Sequence, residues 1–153
     1  MQTPVSELMT RDVVVVRSDM DVHELEKIFL ENKIHGAPVV DEKGKLVGVV
    51  SQTDLLAWHF ETGTDGPGFF NAPEMPDPEG FRGLRMADIR TAEVREVMTP
   101  LVHAIREDSV AGEAAQRMVR HRIHRLIVVD DKLHVRGVIS AMDLLQLLPG
   151  VEA

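Results

Sequence analysis

The chain has 153 residues, 44% of them apolar and 27% charged, with a formal net charge of −8 and no cysteine. That size suits one compact domain or two small subdomains sharing a core, and the composition is ordinary for a soluble globular protein. The missing cysteines exclude disulfides, thiolate zinc sites and cysteine nucleophiles, and the acidic balance disfavours nucleic acid and anionic membrane surfaces as partners.

At the amino end, Met1-Gln2-Thr3-Pro4 lacks the basic-then-apolar order of a signal peptide, so a cytoplasmic protein is expected. No apolar run approaches the roughly 20 residues needed to cross a bilayer. Val13–Val16 is a β-branched run that predicts a buried strand. Asp19 and Asp21 then precede Val22, Leu25, Ile28 and Phe29, an apolar stripe at helical spacing with an acidic start. Ala37–Asp41 and Leu46–Val50 predict two strands joined by a turn over Asp41-Glu42-Lys43-Gly44-Lys45. A helix is expected from near Ser51 through Leu55-Leu56-Ala57-Trp58. Phe29, Trp58 and the helically spaced methionines read as core.

Thr62–Arg85 differs in kind, because its nine glycines and prolines forbid long regular elements. It also carries Phe69, Phe70 and Phe81, which favours a partly ordered flap docked through its aromatics on the body or a partner over the alternative, a flexible tether. Met86–Glu96 predicts a short helix. Beyond it, Asp108 or Ser109 is the expected cap of a helix whose stripe is Val110, Ala114, Met118 and Val119. Strands over Leu126–Asp130 and Val135–Ile139 and a last helix through Leu144–Leu148 follow.

The second half repeats the first. Val5–Leu56 realigns with Val94–Leu145 at a constant offset of 89 residues without a gap, and 20 of the 52 paired positions are identical. Each copy is too small to be stable by itself, so burial between copies is expected. The implied division is a first repeat over 1–60, an insert over 61–90 and a second repeat over 91–153. The order strand, helix, strand, strand, helix, twice over, predicts an α/β (α+β) protein with mixed sheets.

Ser51-Gln52-Thr53-Asp54 and Ser140-Ala141-Met142-Asp143 each follow a strand and open a helix. Ser-x-x-Asp is a capping box, in which the hydroxyl takes an N–H of the first turn and the acid reaches back. A capping role alone does not explain Gly48 and Gly137, which remove a side chain where backbone or ligand comes close. A helix start favours an anion, and a carboxylate there suits ribose hydroxyls, which donate to it. Capping alone and a ribose clamp beside a phosphate cradle both fit these residues.

Three motifs in order, twice, carry a resemblance. They are Val5-Ser6-Glu7-Leu8-Met9-Thr10 with Val94-Arg95-Glu96-Val97-Met98-Thr99, Ile34-His35-Gly36-Ala37-Pro38-Val39-Val40-Asp41 with Ile123-His124-Arg125-Leu126-Ile127-Val128-Val129-Asp130, and the two Gly-Val-x-Ser-x-x-Asp ends. Over about two thirds of its length the chain resembles a tandem pair of CBS domains, the Bateman module that binds adenosine ligands. The resemblance implies two βαββα repeats packed about a pseudo-twofold axis. It implies that Asp54 and Asp143 hold ribose hydroxyls and that Ser51 and Ser140, with Thr53, meet ribose or phosphate. His35 and His124 take the family's phosphate-facing position, with Arg122 and Arg125 as nearby cations. Adenine is implied to lie against the lead-in segment, around Thr10 and Val14 or Thr99 and His103. In such pairs one repeat's lead-in segment meets the other's Ser-x-x-Asp. Two departures stand out: Ile127 replaces Pro38 and Met142 replaces Thr53. The second site, with its extra cations, is the better suited to charged phosphates.

The expected protein is therefore a regulatory sensor of AMP, ADP or ATP that is a homodimer, reports to a regulated partner protein and has no catalytic cofactor. The alternative is a structural interaction module with empty clefts that docks a partner through the Phe-rich insert. His121 and His124, three apart, have no accompanying ligand motif, so no metal is expected. No nucleophilic triad or Walker loop is present, so no enzyme is expected.

Overall fold

The computed structural model describes residues 1–62, 91–100 and 102–152. The expected flap with Phe69, Phe70 and Phe81, and the start of the expected helix over Met86–Glu96, lie outside the described residues. In chain order the elements are α1 (Val5–Leu8), β1 (Val16–Arg17), α2 (Val22–Asn32), β2 (Gly36–Val40), β3 (Leu46–Ser51) and α3 (Gln52–Thr62). The second copy supplies α4 (Val94–Val97), β4 (Ala104–Arg106), α5 (Ala111–His121), β5 (Arg125–Val129), β6 (Val135–Ser140) and α6 (Ala141–Leu145). Each copy forms a three-stranded mixed sheet, ordered β1-β2-β3 and β4-β5-β6. The first strand pairs parallel and the hairpin antiparallel, with one irregularity at Val39/Val40 and at the equivalent Val128/Val129.

The two cores do not follow the two sequence copies. One gathers Ile105, Ala111, Met118, Leu126, Val128 and Ile139 of the second copy around Val5 and Met9 of the first. The other gathers Val16, Leu25, Phe29, Val39 and Val50 of the first copy around Ala92 and Val94 of the second. Each lead-in helix is thus buried in the opposite repeat, where the Val5 and Val94 side chains are fully enclosed. Backbone bonds fix the exchange, with Val5 N donating to Ser109 O (2.8 Å) and Val94 N to Met20 O (2.8 Å).

This exchange corrects two expectations. The run Val13–Val16 enters the sheet only at Val16, because Thr10 pairs with the other copy and the chain crosses between sheets over the intervening residues. Helix α5 is not capped by Asp108 or Ser109. Its N-cap is Val110, without a side-chain bond, and Asp108 instead takes the Arg106 guanidinium at 3.0 and 3.1 Å. The free N–H groups of Ala111 and Gly112 donate to Thr3 O (2.8 Å) and Met1 O (3.1 Å), so the other copy's lead-in segment does the capping. In the first copy Asp21 is a side-chain cap as expected, accepting from His23 N at 2.8 Å. Helix α6 stops at Leu145 and continues to Leu148 only as turns, Pro149 disfavouring the helical conformation before it.

The hairpin tips meet across the pseudo-twofold, through a Lys45–His134 bridge and Leu46 N donating to Leu133 O at 2.9 Å. Gly44 sits at φ +80° in one tip and Leu133 at φ +65° at the equivalent place in the other. A bulky residue is disfavoured there, so Leu133→Gly is expected to raise unfolding free energy by about 0.5–1 kcal/mol in urea titrations. A loss of stability would mean that the leucine's packing outweighs its backbone conformation.

Asp41 and Asp130 close these turns. Asp41 accepts from Lys45 N and Lys43 N, both at 2.9 Å, and Asp130 from His134 N and Lys132 N, both at 2.9 Å. The Lys45 and His134 amides in particular hold the two carboxyls below the ordinary carboxylate pKa. A depressed folded pKa gives stability that is complete above the unfolded value of about 3.9 and is lost as pH falls through the lowered folded value. The Lys45 amide resonance is therefore expected to stay put from neutral pH to about 4 and to move only in stronger acid. Movement near pH 5 would contradict these turn bonds.

Candidate functional site

Two strand ends run into helix starts, and each is completed by backbone from the other copy. Val49 of β3 exchanges both amide bonds with Thr99, at 2.9 and 2.8 Å. Val138 of β6 exchanges both with Thr10, at 3.0 and 2.9 Å. The glycines before these strand ends make the approach possible. A Cβ on Gly48 would lie 2.8 Å from Thr99 O and 2.7 Å from Met98 Sδ, and one on Gly137 would lie 2.5 Å from Thr10 O. What comes close at both glycines is the opposite copy's backbone.

Both Ser-x-x-Asp motifs are capping boxes. Asp54 Oδ2 accepts from Ser51 N (2.8 Å) and Ser51 Oγ (3.1 Å), and Asp54 N donates to Ser51 Oγ (3.3 Å). Asp143 repeats the pattern with Ser140 at 2.7, 2.9 and 3.2 Å. Capping uses one carboxylate oxygen and leaves the other. Asp54 Oδ1 accepts from Thr99 Oγ1 across the copies at 3.3 Å. Asp143 Oδ1 has no hydrogen-bond donor among the described residues. A carboxylate oxygen with spare lone pairs beside a helix start is the chemistry a vicinal diol needs.

The second strands bring the histidines alongside. The main-chain carbonyls of His35 and His124 accept from Gln52 N and Ala141 N, both at 2.9 Å, so each exposed imidazole flanks a helix start. His35 Nδ1 also lies 3.1 Å from Gln52 Oε1, a partner not anticipated from the motif. Arg125 is directly opposite Ser140 in the β5–β6 register, and Arg122 is the left-handed cap of α5 at φ 53°. Thr10, Thr53 and Thr99 are exposed, and Val14 is half-buried. The His103 ring lies 4.8 Å from that of His121, the last residue of α5. A cleft of about 750 Å³ is there, and Asp54 and Asp143 are not among its walls. No group of three or more acidic, histidine or cysteine side chains among the described residues is arranged to hold a metal. No described helix is long and apolar enough to cross a membrane.

A sequence profile of the CBS domain family matches residues 5–61 and 94–150. The chain belongs to the CBS domain family. The CBS pair is 34% identical over 143 residues to an uncharacterized protein of Methanocaldococcus jannaschii, covering 88% of this chain and 85% of that protein. It is 30% identical over 138 residues to the gamma-3 subunit of 5'-AMP-activated protein kinase of Sus scrofa, covering 90% of this chain but only 24% of the subunit. Among solved structures, CBSX2 in complex with AMP superposes with a TM-score of 0.66 at 25% identity, covering 94% of each chain. The paired mixed sheets and exchanged lead-in helices are thus the architecture of a tandem CBS pair.

Proposed function

We propose that this CBS pair is a regulatory module that binds an adenine nucleotide, AMP, ADP or ATP, where one copy's lead-in segment meets the other's Ser-x-x-Asp, and reports occupancy to a partner protein. The observation that carries this reading is the Thr99–Asp54 bond across the copies, beside the paired backbone bridges Thr99–Val49 and Thr10–Val138. A ligand held there touches both halves, so its binding energy favours the arrangement in which both halves are assembled. Asp54 and Asp143 would take ribose hydroxyls, and Ser51, Thr53 and Ser140 ribose or phosphate. His35 on one side and His124, Arg122 and Arg125 on the other would face phosphate, the latter trio favouring the second site for charged tails. The likeness to an AMP-bound CBS pair and to a kinase subunit supports an adenosine ligand and a regulatory role.

The same reading holds that the protein is cytoplasmic, non-catalytic and a homodimer joined through its helices. Leu30 of α2 and Val119 of α5, at equivalent positions, are 78% and 80% exposed, as a self-complementary surface requires. Isothermal titration with AMP, ADP and ATP tests the ligand. Saturable heat from at least one is expected, and none from any of the three would refute the proposal.

A further inference from the structure

Duplication supplies an internal control, because any position where the two copies differ in charge is one the shared fold does not dictate. The groove between α5 and the segment leading into β4 is such a place. It measures about 750 Å³ and includes His103, Arg117, Arg120 and His121 among its walls. At the equivalent positions of the first copy stand Val14, Ile28, Glu31 and Asn32. Two guanidiniums and two imidazoles thus replace one acid and three neutral residues, while Gln116 stands where the first copy has Lys27, on a chain whose net charge is −8.

The side chains are disposed for a ligand more than for each other. Arg117 is committed to the fold, donating to Ala104 O at 2.7 Å and to Glu113 Oε1 at 2.8 Å. That pairing also offsets the groove's carboxylate. Arg120 has no hydrogen bond or ion pair among the described residues. The His103 and His121 rings lie side by side at 4.8 Å, tilted by 37°, the first half-buried and the second exposed, on the groove that the Arg120 guanidinium also lines. Gln116 adds an amide to the same wall. A cation in a fork geometry, two imidazoles and an amide form a donor set that recognises oxyanions. The volume admits more than an inorganic ion.

We propose that this groove is an anion site of the second repeat, taking a phosphorylated small molecule through Arg120, His121 and His103. It is separate from the Ser-x-x-Asp sites, since neither Asp54 nor Asp143 reaches it.

Pyrophosphate is the probe, titrated calorimetrically into the intact protein. Saturable binding is expected. Arg120→Ala and His121→Ala should each weaken it by about tenfold or more, and Arg120→Lys should keep most of it. His124→Ala plus Arg125→Ala should leave it unchanged, which separates this site from any phosphate bound beside the ribose clamps. The imidazole resonances of His103 and His121 in the unaltered protein should shift as pyrophosphate is added. Absence of saturable binding overturns the proposal. So do equal affinities in the Arg120 and His121 variants, loss of binding in the His124 and Arg125 double variant, or stationary His103 and His121 resonances.

Discussion

Gly137→Ala is expected to lower unfolding free energy by about 2 kcal/mol and the melting temperature by about 4–8 °C. The new Cβ would meet Thr10 O at 2.5 Å, a backbone atom that cannot swing aside as a side-chain end can. Thr10 is also tied to Val138 by two amide bonds, and Met9 beside it lies in the second repeat's core. Relief therefore requires opening the contact between copies or shifting a core residue. Gly48→Ala should follow with a similar or smaller loss, because one of its close neighbours is the movable Met98 Sδ at 2.7 Å. Gly112→Ala is the control, since its Cβ finds only ordinary contacts of 3.5 Å and more within a helix, where alanine stabilises by about 0.5–1 kcal/mol. Differential scanning calorimetry of the three variants checks the order. A neutral Gly137→Ala would mean that the exchanged lead-in segment does not press on β6.

Asp143→Ala and Asp54→Ala together are expected to abolish nucleotide binding while leaving a folded protein. Each carboxylate makes two interactions that differ in worth. Oδ2 satisfies backbone and hydroxyl donors of its own helix start, and losing that cap costs about 1 kcal/mol. Under the proposed function the other oxygen accepts ribose hydroxyls, and charged hydrogen bonds of that kind contribute about 1.5–3 kcal/mol, a loss of roughly 10- to 150-fold in affinity at each site. Ser140→Ala separates the effects, removing the hydroxyl that Asp143 N donates to at 3.2 Å while keeping the carboxylate. Its stability should fall much as in Asp143→Ala, with a smaller change in affinity by calorimetry. Unchanged nucleotide affinity in the double aspartate variant would remove the ribose-clamp assignment.

Local chemistry was legible wherever the interaction is itself local. The capping boxes at Ser51 and Ser140 follow from residues three apart, and the turn bonds of Asp41 and Asp130 from residues two and four apart. The absence of side chains at Gly48 and Gly137 announced a close approach, although not what approaches. The cap of α5 was misread because its acceptors, Thr3 O and Met1 O, lie more than a hundred residues away along the chain. Gln52 beside His35 was missed for want of any spacing rule linking residues 17 apart. Arg120 did leave a trace, as a reversal of charge against Glu31 at the equivalent position, with His121 beside it in place of Asn32.

By itself the sequence determined that there are two like units, in what order their strands and helices run, and that each ends in a serine and an acid at a helix start. Period, register and turn chemistry act between near neighbours, so a linear reading captures them. Only the tertiary structure decided that each unit's first helix is buried in the other, that the Thr99 hydroxyl donates to Asp54 across the copies, and that a groove with basic walls lies beside His103. Those contacts join apolar and polar groups distant along the chain. Many pairings of such groups are compatible with one hydrophobic pattern, and packing the whole molecule without voids or unpaired backbone selects among them.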